Sequence, residues 1–386
     1  MNRIDDWIHF NVPPFVPAAL EYMQDAALRH KICGDGKYTK LCSGWIEEKT
    51  GCGKALLTTS GSTALDLAAL LCGIQPGDEV ILPSYTFSST ANAFAMRGAS
   101  LVFVDIRPDT LNIDETKIEA AVTDKTKVIV PVHYAGVACE MDTIMDIARR
   151  HGLLVVEDAA QAVTSTYKGK PCGTIGDFGC YSFHETKNFS MGEGGALLIK
   201  DPKYTTHAEI YREKGTNRSA YYRGEVAKYN WMDVGGSFLP SELNAAYLWA
   251  QLEKAEEIQA SRMAIWQRYW DEFAPHAEEW GIELPVIPEE CGHNAHMFYI
   301  KCRDLAQRTR FIDFMKENKI LSVFHYVPLH SAPAGKKYGR FDGEDKYTTA
   351  ESDRLVRLPI YYDMFQEDLE KVVFSVKEFF LHEKSE

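Results

Sequence analysis

Three short apolar runs recur at regular spacing in the first half of the chain. They cover residues 101–104, 128–132 and 153–156, and helical patterns fill residues 114–122 and 141–151 between them. An apolar run of this length, bounded by polar residues, is typical of a strand buried on both faces of a parallel sheet. Alternation with helices places those helices on both faces of the sheet, joined by right-handed crossovers. The sequence therefore predicts an α/β fold with a mostly parallel sheet.

The pattern changes in the last third of the chain. The Pro-containing segment 284–288 reads as a linker. We predict a large domain over residues 14–255 and a smaller α+β domain over residues 256–386, with residues 1–13 packing as an arm. The other elements expected in this part are one long helical stretch over 241–273, strands over 297–301 and 321–324, and helices over 307–318, 348–354 and 367–382.

The composition is that of an ordinary globular enzyme. Of the 386 residues, 45% are hydrophobic and 25% are charged. The formal net charge of −13 argues against nucleic-acid binding, which depends on a basic field. No apolar run approaches the roughly 20 residues that span a bilayer, and the first residues lack the apolar core of a signal peptide. We therefore expect no membrane association and no export.

Nine cysteines are scattered along the chain without a C-x-x-C pair. In a chain of this length they are typical of free thiols in a reducing compartment, which predicts a cytoplasmic protein. His293 and His296 are spaced for one helix face, but no cysteine or carboxylate partner lies near them in the sequence. We therefore predict no metal site.

An aspartate and a lysine follow two apolar runs of the chain. Asp158 comes just past the run over 153–156, where open α/β sheets form their ligand sites. Lys187 lies between another apolar strand and the glycine-rich turn over 192–195. Taken singly, such an aspartate is more often a helix cap or turn residue, and such a lysine is more often solvated surface. As a pair in this order, they are the two protein groups that pyridoxal phosphate (PLP) chemistry requires.

Two turns before helices could complete such a site. Residues 60–63, Ser-Gly-Ser-Thr, open a helix whose N-terminus offers N–H groups and hydroxyls to a phosphate, although an ordinary Ser/Thr cap explains the segment equally well. They do not form the G-x-G-x-x-G turn of a nicotinamide dehydrogenase. Phe87 lies at the next strand-to-helix turn, where its ring could lie flat on a planar cofactor.

A basic cluster covers residues 212–223 of this acidic chain. Such clusters are more often solvated helix ends than ligand sites. As a hypothesis, Arg218 and Arg223 help to bind the diphosphate of a substrate.

Taken together, these segments resemble the DegT/DnrJ/EryC1/StrS family of sugar aminotransferases. The resemblance covers nearly the whole chain and implies the PLP-dependent transferase type I (aspartate aminotransferase-like) fold. The segments that carry it are Cys33-Gly34-Asp35-Gly36, His133 to Asp142 (HYAGVACEMD), Ser182-Phe183-His184-Glu185-Thr186-Lys187-Asn188, Arg212 to Arg218 (REKGTNR), Asn294 to Tyr299 (NAHMFY) and Phe324 to His330 (FHYVPLH).

The resemblance assigns roles to particular residues of this chain. Two departures from the family pattern are Ser62, where threonine is common, and Ser237, where many members place an asparagine from the second subunit on the phosphate. The implied roles are Lys187 for the Schiff base with the cofactor, Asp158 for the pyridine nitrogen, Gln161 near the ring hydroxyl, Phe87 stacked on the ring, and Gly61, Ser62, Thr63, Ser182 and Ser237 on the phosphate. Arg218 and Arg223 of the basic cluster, together with His325, are the candidate residues for substrate binding.

The resemblance also implies an activity. The expected reaction moves the amino group of L-glutamate to the 4-keto group of dTDP-4-keto-6-deoxy-D-glucose, in a homodimer with active sites at the interface. Alternatives are another nucleotide keto sugar or amination at C3, loss of a hydroxyl as in members with histidine in place of the lysine, and a non-catalytic PLP-binding regulatory module. No single arginine stands out in the sequence for the carboxylates of glutamate.

Overall fold

The computed structural model describes residues 5–383, whose strands form one large sheet and two small ones. The strands are β1 (Lys54–Thr58), β2 (Glu79–Pro83), β3 (Ser100–Val104), β4 (Thr126–Ile129), β5 (Leu154–Asp158), β6 (Thr166–Tyr167), β7 (Lys170–Pro171), β8 (Phe178–Ser182), β9 (Gly195–Ile199), β10 (Cys291–Gly292), β11 (Phe298–Lys301), β12 (Gly339–Phe341) and β13 (Leu355–Leu358).

The α-helices of the described residues cover both faces of the large sheet and the later part of the chain. They are α1 (Ala18–Leu28), α2 (Lys37–Thr50), α3 (Gly61–Leu71), α4 (Ser88–Ala95), α5 (Glu115–Ala121), α6 (Met141–His151), α7 (Thr205–Arg212), α8 (Arg218–Tyr222), α9 (Glu242–Leu252), α10 (Ala255–Phe273), α11 (Ala277–Trp280), α12 (Leu305–Glu317), α13 (Pro333–Tyr338), α14 (Thr348–Arg354) and α15 (Gln366–His382). Short 3-10 helices cover Tyr134–Gly136, Pro202–Tyr204, Ala274–His276 and Leu329–Ser331.

The large sheet is mostly parallel, as the sequence predicts. Its strand order is β1-β9-β8-β5-β4-β2-β3-β12, and within it β9 alone runs opposite to the other strands. Every residue of β8 and β9 is buried. Such burial on both faces is what helices packed on the two sides of the sheet require. The predicted α/β fold is confirmed.

The strand order predicts a crevice at the carboxyl ends of the central strands of this sheet. The chain leaves β2 toward β3 on one side, whereas it leaves β4 toward β5 on the other side. Helices that diverge in this way leave a gap at the carboxyl ends of the strands, which is the usual ligand site of open α/β sheets. The loop after β2 and the end of β5 flank this gap.

Helix ends follow from local chemistry. At the start of α3, Ser60 Oγ accepts a hydrogen bond from the N–H of Thr63 at 3.0 Å, and Thr63 Oγ1 accepts one from the N–H of Ser60 at 2.9 Å. This capping box satisfies two otherwise unpaired donors. At the end of α6, Gly152 adopts φ 66°, the left-handed conformation that ends many helices.

A second apolar core lies outside the large sheet. It packs α10, α12 and α15 against the antiparallel pair of β11 and β13, and Ile8 of the N-terminal segment joins it. From the same part of the chain, β12 extends to the large sheet and pairs with β3. The division at residue 255 and the arm over residues 1–13 stay predictions.

Two expectations about the later elements are wrong, and one strand was not predicted. Residues 321–324 form no strand, only a bridge between Val323 and Arg357. The strand that pairs with β11 is β13, an apolar run that Arg357 interrupts. The helical stretch over 241–273 divides between α9 and α10 at residues 253–254, where Lys254 leaves helical geometry with φ −109° and ψ 18°.

Within residues 5–383, every helix is too short or too polar to cross a bilayer. In the same residues, no group of three or more His, Cys, Asp or Glu side chains is arranged to hold a metal ion. All nine cysteines are free thiols.

Candidate active site

A cavity of about 380 Å³ opens at the carboxyl ends of β2, β5 and β8. It brings together Asp158 and Lys187, which lie on different loops of the chain. Other predicted residues that line it are Gly61, Ser62, Phe87, Gln161, Ser182 and His325, and further lining residues include Phe10, Ser60, Ser89, His296, Tyr326 and Arg357.

Asp158 is the last residue of β5 and is 6% exposed. Its carboxylate accepts a hydrogen bond from Thr90 Oγ1 at 2.6 Å and one from the N–H of Ala160 at 3.2 Å. Because the Thr90 hydroxyl proton is used there, the 2.8 Å contact between Thr86 and Thr90 must be donated by Thr86. Two threonines of the β2–α4 loop and of α4 therefore hold the carboxylate in place.

Lys187 lies on the loop after β8, where its N–H donates to the carbonyl of His184 at 2.9 Å. Desolvation in the cavity lowers the pKa of its ammonium to about 8, and repulsion from Arg357 acts in the same direction. Attraction to Asp158 opposes both effects. An appreciable fraction of Lys187 is therefore uncharged near neutral pH, as a nucleophilic or basic lysine requires.

The N-terminus of α3 forms one end of the cavity. A Cβ atom at Gly61 would lie 2.8 Å from Cβ of Ser182, so only glycine permits this close approach of the helix start to β8. Ser62 Oγ lies 2.6 Å from Ser89 Oγ. Hydroxyls and helix N–H groups thus converge there, a combination suited to a phosphate. The Thr63 hydroxyl is engaged in the capping box and does not line the cavity.

Gln161 is fixed by two hydrogen bonds beside this site. Its Oε1 accepts from the N–H of Ala135 at 2.7 Å, and its Nε2 donates to the hydroxyl of Tyr326 at 2.8 Å. Phe87 is 57% exposed, with its ring centroid 6.3 Å from that of Tyr326. An aromatic ring left open inside a cavity offers a flat apolar surface to a bound ring.

Besides Thr63, three predicted residues do not line this cavity. Ser237 is exposed on the segment after α8, and Arg218 and Arg223 line a separate cavity of about 610 Å³. Arg223 forms two 2.9 Å hydrogen bonds to the carboxylate of Glu209. The predicted action of Ser237 in the site of a second subunit and the predicted roles of the two arginines stay predictions.

Sequence reasoning missed Arg357, which lies on β13 and lines the cavity. Its guanidinium lies 4.4 Å from the ring centroid of Phe10, and one Nη donates to the carbonyl of Phe324 at 3.2 Å. Nε is enclosed without a hydrogen-bond partner among residues 5–383. Only the interruption of an apolar run by a charged residue marked this position in the sequence.

His296 and His325 also face the cavity. Desolvation, together with repulsion from Lys187 and Arg357, lowers the pKa of both imidazoles well below the usual range. Both rings are therefore uncharged at neutral pH. His325 is stacked on Tyr326 at 3.6 Å, and its Nδ1 lies 2.7 Å from the hydroxyl of Tyr134.

Known proteins are similar to this chain in sequence and in fold. The DegT/DnrJ/EryC1/StrS aminotransferase family matches residues 18–377. The spore coat polysaccharide biosynthesis protein SpsC of Bacillus subtilis is 35% identical over 336 residues, which cover 85% of this chain and 86% of that protein. GDP-perosamine synthase of Caulobacter vibrioides is 34% identical over 325 residues, covering 83% and 84% of the two chains.

Solved structures agree with these sequence matches. The PLP form of the putative sugar aminotransferase Spr1654 from Streptococcus pneumoniae superposes with a TM-score of 0.87 at 26% identity, covering 97% of this chain and 99% of that one. With Asp158 and Lys187 in one cavity beside the N-terminus of α3, the chain belongs to the DegT/DnrJ/EryC1/StrS family and is a PLP-dependent sugar aminotransferase.

Proposed function

We propose that this enzyme transfers the amino group of L-glutamate to the 4-keto group of dTDP-4-keto-6-deoxy-D-glucose. The products are dTDP-4-amino-4,6-dideoxy-D-galactose and 2-oxoglutarate. The observation that carries the reaction type is the shared cavity of Asp158 and Lys187. The choice of sugar rests on segments such as Phe324 to His330 (FHYVPLH), which resemble the transaminase of enterobacterial common antigen biosynthesis.

The cavity residues fit the cofactor from end to end. The N-terminus of α3, with Ser62 and Ser182, would hold the phosphate. Phe87 would cover one face of the ring, and Asp158 would hold the pyridine nitrogen protonated. When bound, PLP supplies the electron sink that stabilises a carbanion at the amino-bearing carbon.

Lys187 is the group that moves the proton in both half-reactions. With a pKa of about 8, its Nζ is neutral often enough to take the α-proton of glutamate. In the second half-reaction the same atom would deliver a proton to C4 of the sugar, the ring carbon that receives the amine. Asp158, anchored by Thr90, contributes a fixed negative charge that needs no rearrangement during either transfer.

Arg357 would bind a carboxylate of L-glutamate. It is the arginine that lines the cavity, and among the described residues only one of its Nη atoms forms a hydrogen bond, so the other Nη keeps donor capacity. The Phe10 ring against the guanidinium keeps water from one of its faces. A carboxylate bound by arginine in such a place forms a charge-assisted hydrogen bond, which is stronger than one between neutral groups.

A second copy of the chain would complete the site in a homodimer. The end of α8 and the segment that follows it expose Tyr222, Trp231, Met232 and Val234, each more than half exposed. Contiguous apolar exposure of this kind marks an interaction surface. Ser237 lies beside it, which supports its delivery to the neighbouring cavity. The free thiols support a reducing compartment, and we place the enzyme in the cytoplasm.

Mixed dimers test the shared site. Lys187→Ala and Arg218→Glu chains, each inactive alone, are refolded together at equal amounts. If Arg218 serves the neighbouring cavity, half of the dimers regain one intact site, or roughly a quarter of wild-type activity for statistical pairing. Absence of any recovery would place Arg218 outside the partner's site.

The visible absorption of the cofactor-loaded enzyme tests the substrates. We expect the band to bleach with L-glutamate and to return on addition of dTDP-4-keto-6-deoxy-D-glucose, with the amino sugar identified by mass spectrometry. If the absorption band returned only with a GDP-linked keto sugar, the result would favour the activity named for the Caulobacter relative and overturn the dTDP assignment. A band that never bleaches with an amino acid would refute amino transfer and favour a regulatory module.

A further inference from the structure

His296 is held in the cavity wall from three directions. Its Nδ1 lies 2.9 Å from Oδ1 of Asn188, the residue next to Lys187. Its N–H donates to Oδ1 of Asn294 at 3.1 Å, and its carbonyl accepts from the buried Arg262 at 2.8 Å. Two of these bonds fix the backbone of His296 and one fixes its ring, so the side chain is pre-organised, as recognition residues are.

The hydrogen bonds of Asn188 determine which imidazole nitrogen carries the proton. Nδ2 of Asn188 donates to the carbonyl of Asn294 at 2.7 Å, and a carbonyl can only accept. Oδ1 of Asn188 therefore faces His296, so Nδ1 of His296 must carry the hydrogen. Nε2 is left with a free lone pair.

This lone pair opens on the cavity. Among residues 5–383, no group hydrogen-bonds Nε2, and Nε2 is absent from the fully enclosed unpaired atoms of these residues. His296 lines the cavity, and Lys187 is near enough for its charge to act on the imidazole. An uncharged acceptor thus faces the place where the lysine meets its substrate.

The neighbouring groups indicate which donor it takes. The anionic groups of the cofactor and substrates have other proposed partners. The N-terminus of α3 would hold the cofactor phosphate, Arg357 a carboxylate of glutamate, and the basic cluster the diphosphate of the sugar nucleotide. The rest of this wall, His325 and Tyr326, is polar but uncharged. Sugar hydroxyls are the uncharged donors that either substrate would bring, and glutamate has none.

We propose that His296 is a specificity-determining residue whose Nε2 accepts a hydrogen bond from the C3 hydroxyl of the keto sugar. C3 is the hydroxyl-bearing carbon next to C4, where Lys187 acts. This assignment rests on the proposed function. It predicts that the enzyme distinguishes sugars by the presence of that hydroxyl.

Two substitutions separate the roles of the ring nitrogens. His296→Asn keeps a donor toward Asn188 but removes the acceptor in the cavity, whereas His296→Gln can place an amide oxygen where Nε2 lies. Calorimetry measures the dissociation constant of dTDP-4-amino-4,6-dideoxy-D-galactose and of its 3-deoxy analogue. Loss of one neutral hydrogen bond should weaken binding of the first sugar to His296→Asn roughly 3- to 10-fold. The analogue should bind wild type and His296→Asn equally, and His296→Gln should recover part of the loss.

The half-reactions provide the second readout. In the cofactor-loaded His296→Asn variant, the visible absorption band should bleach with L-glutamate at the wild-type rate. The band should return more slowly than in wild type when the keto sugar is added. Equal binding of the hydroxylated sugar by wild type and His296→Asn would refute the role of His296 alone. A matching loss in the glutamate half-reaction would show that Nε2 serves Lys187 instead. Failure of wild type to bind any nucleotide amino sugar would refute the proposed function itself.

Discussion

Glu157, the residue before Asp158, carries the most concentrated set of hydrogen bonds near the site. It is fully buried, and its Oε1 accepts from the N–H groups of Ile175 at 2.7 Å and Gly176 at 2.6 Å. Its Oε2 accepts from the N–H of Gly173 at 2.7 Å and lies 2.8 Å from Nε2 of His133.

That imidazole nitrogen is also a donor. Nδ1 of His133 accepts from the N–H of Cys139 at 3.1 Å, so the ring proton of the neutral tautomer lies on Nε2. Glu157→Gln replaces one carboxylate oxygen by an NH₂ group, which cannot accept a hydrogen bond. Whichever way the amide is turned, the NH₂ group faces two of the four donors. Two bonds to a charged group are lost, at about 1.5–3 kcal/mol each, so the free energy of unfolding should fall by about 3–6 kcal/mol.

Equilibrium urea unfolding at fixed protein concentration measures this loss. Glu253→Gln is the matched control, because Glu253 is exposed and accepts a hydrogen bond from the Tyr22 hydroxyl. The control should lose less than about 1 kcal/mol. A loss below about 1.5 kcal/mol for Glu157→Gln would refute the reasoning, because it would mean that the four donors find other partners.

Two further pairs of variants test the electrostatics around Asp158. Thr90→Val should lower the free energy of unfolding by about 1.5–3 kcal/mol, since it removes a bond to a carboxylate, and Thr86→Val by only about 0.5–1.5 kcal/mol; equal losses would contradict the donor order. Asp158→Asn removes the attraction on Lys187 and should lower its pKa further below about 8, whereas Arg357→Met removes a repulsion and should raise it. In the enzyme freed of PLP, so that the Lys187 amine is not bound, competitive acetylation of Lys187 across pH is quantified by mass spectrometry. It should show the reactive form gained at lower pH in the first variant and at higher pH in the second. Arg357→Met should also raise KM for L-glutamate.

Site residues at or just after strand ends could be predicted from the sequence. Asp158 ends β5 and Lys187 lies on the loop after β8, and these two neighbouring parallel strands have their carboxyl ends at the same end of the sheet. Local order along the chain was therefore enough to predict that they meet. Gly61 was found in the same way, because a small-residue turn before a helix has a local signature.

Site residues that come from distant segments of the chain could not be predicted from the sequence. Thr90 and Asp158 are 68 positions apart, and nothing in the helix pattern of α4 distinguishes a threonine that faces the site from one that faces the core. Arg357 interrupts the apolar pattern of β13. The sequence therefore predicted neither the strand nor a role for the arginine. His296 was considered only as a metal ligand, because its functional partner Asn188 lies 108 positions away.

Backbone strain explains why this part of the site depends on tertiary contacts. Ala135 and Ala295 adopt φ 57° and 48°, a left-handed conformation that costs of order 1–3 kcal/mol for residues with a side chain. Asn294 offsets this cost, because its Nδ2 donates to the carbonyls of Gln161 at 2.9 Å and Val163 at 2.8 Å while its Oδ1 accepts from His296. One side chain thus joins the loop of Gln161 to the loop of His296. Neither loop would keep this geometry alone, so the hydrogen bond of Ala135 to Gln161 and the position of His296 arise together, when the segments fold against each other.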